Sequence, residues 1–119
     1  MPSWLPLVLL VQGAYYAVTG LWPLLSIRTF QMVTGPKTDL WLVRTVGILI
    51  LVIGIVLLLG TFKPNTAIMT LALGSAAGLA AIDIVYVSCR VIAHIYLMDA
   101  VLQVIFILLI SIGLSLSHT

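Results

Sequence analysis

Four long apolar stretches, separated by short polar segments, make up most of the 119-residue chain. Each stretch has about 20 residues, the length that a helix needs to cross the roughly 30 Å hydrocarbon core of a bilayer. We therefore predict an all-α integral membrane protein, a single domain of four transmembrane helices in an up-down-up-down bundle. The predicted spans cover approximately residues 4–25, 40–59, 66–87 and 95–114.

Three breaks separate the predicted helices. Gly35-Pro36 interrupts the first connection, and the second is a tight turn in which Asn65 or Thr66 would cap the next helix. The third connection contains neither Gly nor Pro. A continuous helix over 66–114 would nevertheless be about 73 Å long, far more than the bilayer thickness. We therefore place a turn within 88–94, the polar cluster of that region.

Composition excludes a soluble globular domain. The chain is 63% hydrophobic and 7% charged, whereas soluble domains carry about 25% charged residues. A net charge of +2 is too small to indicate nucleic acid binding, so the expected surroundings are the lipid bilayer. The single Cys89 allows no internal disulfide.

The distribution of Lys and Arg predicts the orientation. One predicted side carries Arg28, Lys37, Arg44 and Arg90, and the other, which holds both termini, carries Lys63. The positive-inside rule then places the first and third connections in the cytoplasm and both termini on the non-cytoplasmic side. We expect a multi-pass protein of a bacterial inner membrane.

Three ionisable residues lie inside the apolar stretches: Arg44, Asp83 and Asp99. A charge at the bilayer centre costs roughly 2.5–3.5 kcal/mol on insertion scales, so such residues are usually paired and often functional. Each lies about one helical turn from the predicted cytoplasmic end of its span. We therefore predict that they share one layer of the bundle.

Further polar side chains extend this predicted site toward the middle of the membrane and toward the cytoplasm. Those expected to share helix faces or depths with the carboxylates are Tyr86, Tyr96, Gln103 and Gln12. Those expected at the mouth of the site are Lys37, Arg90 and His94.

Two interpretations of the charged layer remain open. An Arg–Asp pair is commonly a structural clamp that fixes the register of two helices, and Arg44 can also extend to the lipid headgroups. Alternatively, the layer binds an ion, a proton or a small polar ligand, since one cation cannot neutralise both carboxylates. The scattered His and Asp residues lack the spacing of a metal site, so we expect no metal and no cofactor.

Small residues predict close helix packing. In the third span, Gly74 and Gly78 share a face, as do Ala77 and Ala81, and such faces let two backbones approach closely. This pattern favours packing within the bundle, with a homo-oligomer interface as the alternative. Gly47 and Gly54, seven residues apart, form a similar stripe on the second span.

Three functional hypotheses follow from the sequence. The first is a small transporter or channel-like protein that works as an oligomer and transports or binds an ion, a proton or a small polar ligand. The second is an accessory subunit of a larger membrane complex, with the charges as register clamps. The third is a membrane enzyme that acts on a lipid-like substrate; no catalytic spacing supports it, so we lean against an enzyme.

Overall fold

The computed structural model describes residues 3–35, 40–88 and 95–117. These residues form five α-helices: α1 (Leu5–Leu25), α2 (Ile27–Thr34), α3 (Leu40–Gly60), α4 (Thr66–Ser88) and α5 (Tyr96–Ser117). All but α2 are long and apolar enough to cross a membrane. The prediction of an all-helical chain with four helices long and apolar enough to span a membrane is thus confirmed. The predicted turn within 88–94 and the Gly35-Pro36 break fall on or next to residues outside the described ranges.

The short helix α2 was not predicted from the sequence. The Ser26 side chain caps its first turn by accepting a hydrogen bond from the backbone N–H of Thr29 at 3.4 Å. Gly35 ends the helix with φ 99°, a conformation that favours glycine. The Trp22 ring meets Phe30 edge-on, with 5.3 Å between ring centroids, and Trp22 Nε1 donates to Thr29 Oγ1 at 3.0 Å. These contacts fold α2 back onto the end of α1.

Helices α1 and α3 form the tightest pair through two glycine contacts. Gly13 lies against Gly54 and Gly20 against Gly47, so the two helices run in opposite directions. A Cβ added at Gly20 would lie 2.5 Å from the backbone oxygen of Gly47, and one at Gly54 would lie 2.6 Å from Ala17 N. The stripe predicted on the second span is therefore an intramolecular seam.

Helices α4 and α5 form the second pair. The Asn65 side chain caps α4 by accepting from the backbone N–H of Ile68 at 3.0 Å, which confirms the predicted cap. The small residues of α4 that are buried are Ala72, Ala76 and Ala80.

The predicted packing of Gly74 and Gly78 within the bundle is wrong for the described part of the chain. A Cβ added at either glycine would meet no atom within 4 Å. Ala77 and Ala81 are exposed as well. A different row of α4 side chains packs inward, because the buried alanines of this helix lie on the same side as the buried Asp83.

The bundle has a closely packed half and an open half. The packed half contains the apolar core, whose fully buried members include Leu5, Leu9, Leu57 and Ile110. It lies near the α3–α4 turn and the start of α1. Toward the other end, the α1–α3 and α4–α5 pairs separate and enclose a cavity. The polar residues lie at the boundary between the two halves and within the cavity.

Candidate functional site

A cavity of about 660 Å³ lies between the two helix pairs, with α2 along one side. Most of its wall is apolar, formed by side chains such as Val46, Ile50, Ile82 and Leu102. Its volume falls within the range of small-molecule sites, which are typically concave, mostly apolar and equipped with a few polar groups. The polar groups of this cavity are concentrated on α1, α4 and α5.

Two carboxyl groups meet in the cavity wall. Asp83 comes from near the end of α4 and Asp99 from the first turn of α5, and both residues line the cavity. Asp83 is 4% exposed, although its helix is otherwise apolar. The cavity wall therefore contains two acidic side chains from two different helices.

Helix α1 holds Asp99 in place. The Tyr15 hydroxyl donates to Asp99 Oδ1 at 2.5 Å, and Gln103 Nε2 donates to the same oxygen at 3.0 Å from one turn further along α5. Hydrogen bonds from hydroxyl groups to carboxyl oxygens are typically shorter than those from N–H groups. The Tyr15 ring also contacts the Phe106 ring at a centroid distance of 6.1 Å. Asp99 is therefore fixed by donors from two helices.

A second set of hydrogen bonds leads from Asp99 into the packed half. Tyr16, 1% exposed, donates its hydroxyl to Gln103 Oε1 at 2.6 Å. Gln12 Nε2 donates both to the Tyr16 hydroxyl at 3.1 Å and to the backbone oxygen of Ala72 at 3.0 Å. A continuous chain of hydrogen bonds thus connects Gln12, Tyr16, Gln103 and Asp99 across α1 and α5, with its end anchored on α4.

The buried network leaves two acceptor atoms without a donor in the described residues: Asp83 Oδ2 and Gln12 Oε1. Buried polar atoms usually have partners, and each exception requires an explanation. Other atoms of Asp83 contribute to the cavity wall, whereas Oδ2 itself is buried. Chemically, the site offers hydrogen-bond acceptors and negative charge at one position of an apolar chamber.

The structure brings together most of the described residues of the predicted site. Those in the cavity wall are Asp83, Asp99, Tyr96 and Gln103, and Gln12 joins the same hydrogen-bonded network. The predicted similar depth of Gln12 and Gln103 agrees with this arrangement, because Tyr16 bonds to both. The predicted mouth residues Lys37, Arg90 and His94 lie outside the described residues.

Arg44 and Tyr86 lie elsewhere. Arg44 is exposed on α3, and no ion pair or hydrogen bond among the described residues joins it to Asp83 or Asp99. The expected Arg–Asp contact is therefore absent from that part of the chain. Tyr86 is 41% exposed and is not part of the cavity wall. Asp99 is instead partnered by tyrosine and glutamine, from Tyr15 and Gln103.

Two residues of the hydrogen-bonded network, Tyr15 and Tyr16, were not predicted from the sequence as site residues. They lie in the middle of the first span, close to Gln12, which is one turn before Tyr16. A glutamine and a tyrosine at a spacing of four share a helix face, and this spacing was the available signal.

No group of three or more His, Cys, Asp or Glu side chains in the described residues is placed to hold a metal ion. No protein-family model, curated protein or solved structure matches the chain.

Proposed function

We propose that this membrane protein binds and transports a small molecule, which enters the cavity and engages the Asp83–Asp99 pair with its polar end. The observation that carries the proposal is a largely apolar cavity of about 660 Å³ whose wall contains both Asp83 and Asp99. A structural clamp would satisfy both carboxyl groups internally. Here Asp99 has two donors, whereas the described residues supply none to Asp83 Oδ2.

Retention of a small molecule during purification tests this function, and the test works for a ligand of any identity. The protein is extracted in a mild detergent and analysed by native mass spectrometry and by extraction of bound small molecules. The test variant is Val46→Trp, which fills the cavity from α3. The matched control is Val52→Trp, on the lipid-facing surface of the same helix and outside the cavity wall.

We expect a small molecule that copurifies with the wild type and with Val52→Trp to be lost from Val46→Trp. All three proteins should elute alike on size-exclusion chromatography, because neither substitution disturbs the packed half. If Val46→Trp retains the same molecules in the same amounts as Val52→Trp, or if the wild type retains none, the cavity is not a binding site and the proposal fails.

Transport requires access to the cavity from the membrane faces. We place α1, α3, α4 and α5 across the bilayer in alternating directions, with both termini on the non-cytoplasmic side. The antiparallel contact of α1 with α3 and the hydrogen bonds of Tyr15 and Tyr16 to α5 support this order. In this orientation, the cavity lies in the cytoplasmic half of a bacterial inner membrane.

The exposed small-residue face of α4 supports a second role, association with another copy of the chain or with a partner membrane protein. Gly74 and Gly78 have open space in front of them, and Ala77 and Ala81 continue the exposed surface. Such a face lets another helix backbone approach closely. A Gly78→Leu variant with the same molecular mass in detergent as the wild type would count against this role; we expect it to shift toward the monomer.

A further inference from the structure

We infer that the ligand is an apolar molecule with a cationic, N–H-bearing head, such as a protonated amine, and that the head binds at Asp83 and Asp99. This inference rests on the proposed function and specifies its ligand class. It follows from three separate features of the cavity: its charge, the direction of its missing hydrogen bonds and the character of its wall.

The charge of the cavity is negative in the described residues. Asp83 from α4 and Asp99 from α5 contribute carboxyl groups. The other titratable side chains in the wall are Tyr15 and Tyr16 from α1 and Tyr96 from α5, and α2 and α3 contribute none among their described residues. The described cations, Arg28, Arg44 and Lys63, are all outside the wall. An anionic head would therefore meet like charge in a medium of low dielectric constant.

The hydrogen bonding of the two carboxyl groups also favours a cationic, N–H-bearing head. Asp99 Oδ1 accepts from Tyr15 and Gln103, whereas Asp83 Oδ2 accepts from no described group. A head that donates hydrogen bonds is the chemical complement of the two carboxyl groups in the wall. A neutral hydroxyl donates too, but it leaves the negative charge of the pair uncompensated, whereas an ammonium group supplies both the donors and the opposite charge.

The wall selects for an apolar body behind this head. Leu42, Val46, Ile50, Ile82 and Leu102 contribute apolar side chains to the cavity. Burial of apolar surface contributes roughly 25 cal/mol per Å², so a ring system or branched chain gains affinity here that a small inorganic cation does not. The cavity volume accommodates a molecule of drug-like size.

Three probes with the same ring and different heads test the inference: 1-naphthylmethylamine, 1-naphthylmethanol and 1-naphthoate. At pH 7 they carry a positive, a neutral and a negative head. Binding to the protein in phosphatidylcholine nanodiscs is measured by equilibrium dialysis with naphthalene fluorescence. Empty nanodiscs of the same lipid provide the partitioning background. We expect the amine to bind at least tenfold more tightly than the alcohol, and the naphthoate to bind most weakly.

Substitutions on α4 test whether the preference for the amine over the alcohol depends on Asp83. Asp83→Asn should reduce the preference for amine over alcohol to less than threefold while the alcohol still binds, and Asp83→Glu should retain most of it. Tyr86→Phe, which removes a hydroxyl from the same helix outside the cavity, should behave as the wild type.

Several results would overturn the inference. These are equal or tighter binding of the alcohol or the naphthoate, no binding of any probe above the empty nanodiscs, or an amine preference that survives Asp83→Asn. None of these results decides the proposed function, because loss of the copurifying molecule in Val46→Trp tests occupancy of the cavity by a ligand of any charge. If Asp83→Asn does not fold, the wild-type order of the three probes still decides the ligand class.

Discussion

Tyr15 is the residue that connects the first helix to the carboxyl pair. Its hydroxyl donates to Asp99 at 2.5 Å, and its ring packs beside Tyr16 and Phe106. Removal of the hydroxyl leaves the shape of the side chain intact but takes one of two donors from a partly buried carboxylate. Since a hydrogen bond between transmembrane helices averages about 0.6 kcal/mol and bonds to charged groups are stronger, the loss is measurable.

We predict that Tyr15→Phe lowers the free energy of unfolding by about 1–2 kcal/mol. The measurement is an equilibrium SDS titration in mixed micelles, followed by far-UV circular dichroism. Tyr86→Phe is the matched control, because Tyr86 is exposed and lies outside the network, and it should change stability by less than about 0.5 kcal/mol. Equal effects of the two substitutions would contradict the assigned role of Tyr15.

At this scale, the sequence predicted the acidic residues of the site better than their partners. Asp83 and Asp99 stand out because a short charged side chain in an apolar helix cannot reach water and must find a partner inside the protein. Arg44 also stands out, yet its long stem lets it remain exposed near the start of α3. Tyr15 and Tyr16 were not predicted as site residues, because a tyrosine in a membrane span can face lipid, pack in the core or line a site.

The glycine contacts between α1 and α3 are the strongest feature at the scale of elements. Gly13 and Gly20 on α1 have the same seven-residue spacing as Gly47 and Gly54 on α3, so each glycine of one helix faces a glycine of the other. The backbones approach so closely that a methyl group has no space at these positions. A flexible side chain could move aside for an added methyl group. At Gly20 and Gly54, however, the nearest atoms belong to the backbone.

We predict that Gly20→Ala destabilises the protein by roughly 1–3 kcal/mol, because an added Cβ forces α1 and α3 apart. Gly74→Ala provides the control, since the same methyl group on α4 meets open space and improves helix propensity. Thermal unfolding in detergent compares the two. A Gly20→Ala protein as stable as Gly74→Ala would show that the seam is looser than described.

The same glycines show what a sequence pattern leaves undecided. Small residues permit a close helix approach, but they do not select the partner. The Gly74–Gly78 face of α4 resembles in sequence the glycine faces through which α1 and α3 pack together. Only the arrangement of all the helices shows which faces are in contact. The short helix α2 was not predicted for a related reason. Its eight residues are too few for a membrane span, and its cap and aromatic contacts form only because the chain folds back onto α1.

The whole molecule is a narrow bundle with one packed half and one open half. Its described residues extend over 48 × 28 × 18 Å, long enough to reach beyond a 30 Å hydrocarbon core. Helices converge near the α3–α4 turn and separate at the opposite end, which carries α2 and two exposed arginines, Arg28 and Arg44. The spans were predictable from hydropathy, whereas the separation of the pairs depends on side-chain packing that hydropathy does not encode.

We predict that the end of the bundle carrying α2 faces the cytoplasm. In a Cys89→Ser background, Met32→Cys on α2 and Phe62→Cys in the α3–α4 turn place exposed thiols at opposite ends of the bundle. A membrane-impermeant maleimide should label Phe62→Cys in intact spheroplasts and Met32→Cys only after lysis. The reverse labelling pattern would invert the proposed orientation, and labelling of both in intact spheroplasts would rule out a single orientation.

The position of Asp83 and Asp99 in the wall of one cavity also affects how the chain enters a membrane. The two carboxyl groups belong to consecutive helices, so neither helix can shield its own acidic residue from lipid while it is alone. Helix α3, whose single charge lies near its beginning, faces no such penalty at its centre. We therefore expect α4 and α5 to leave the insertion machinery together as a hairpin and to meet a preassembled α1–α3 pair.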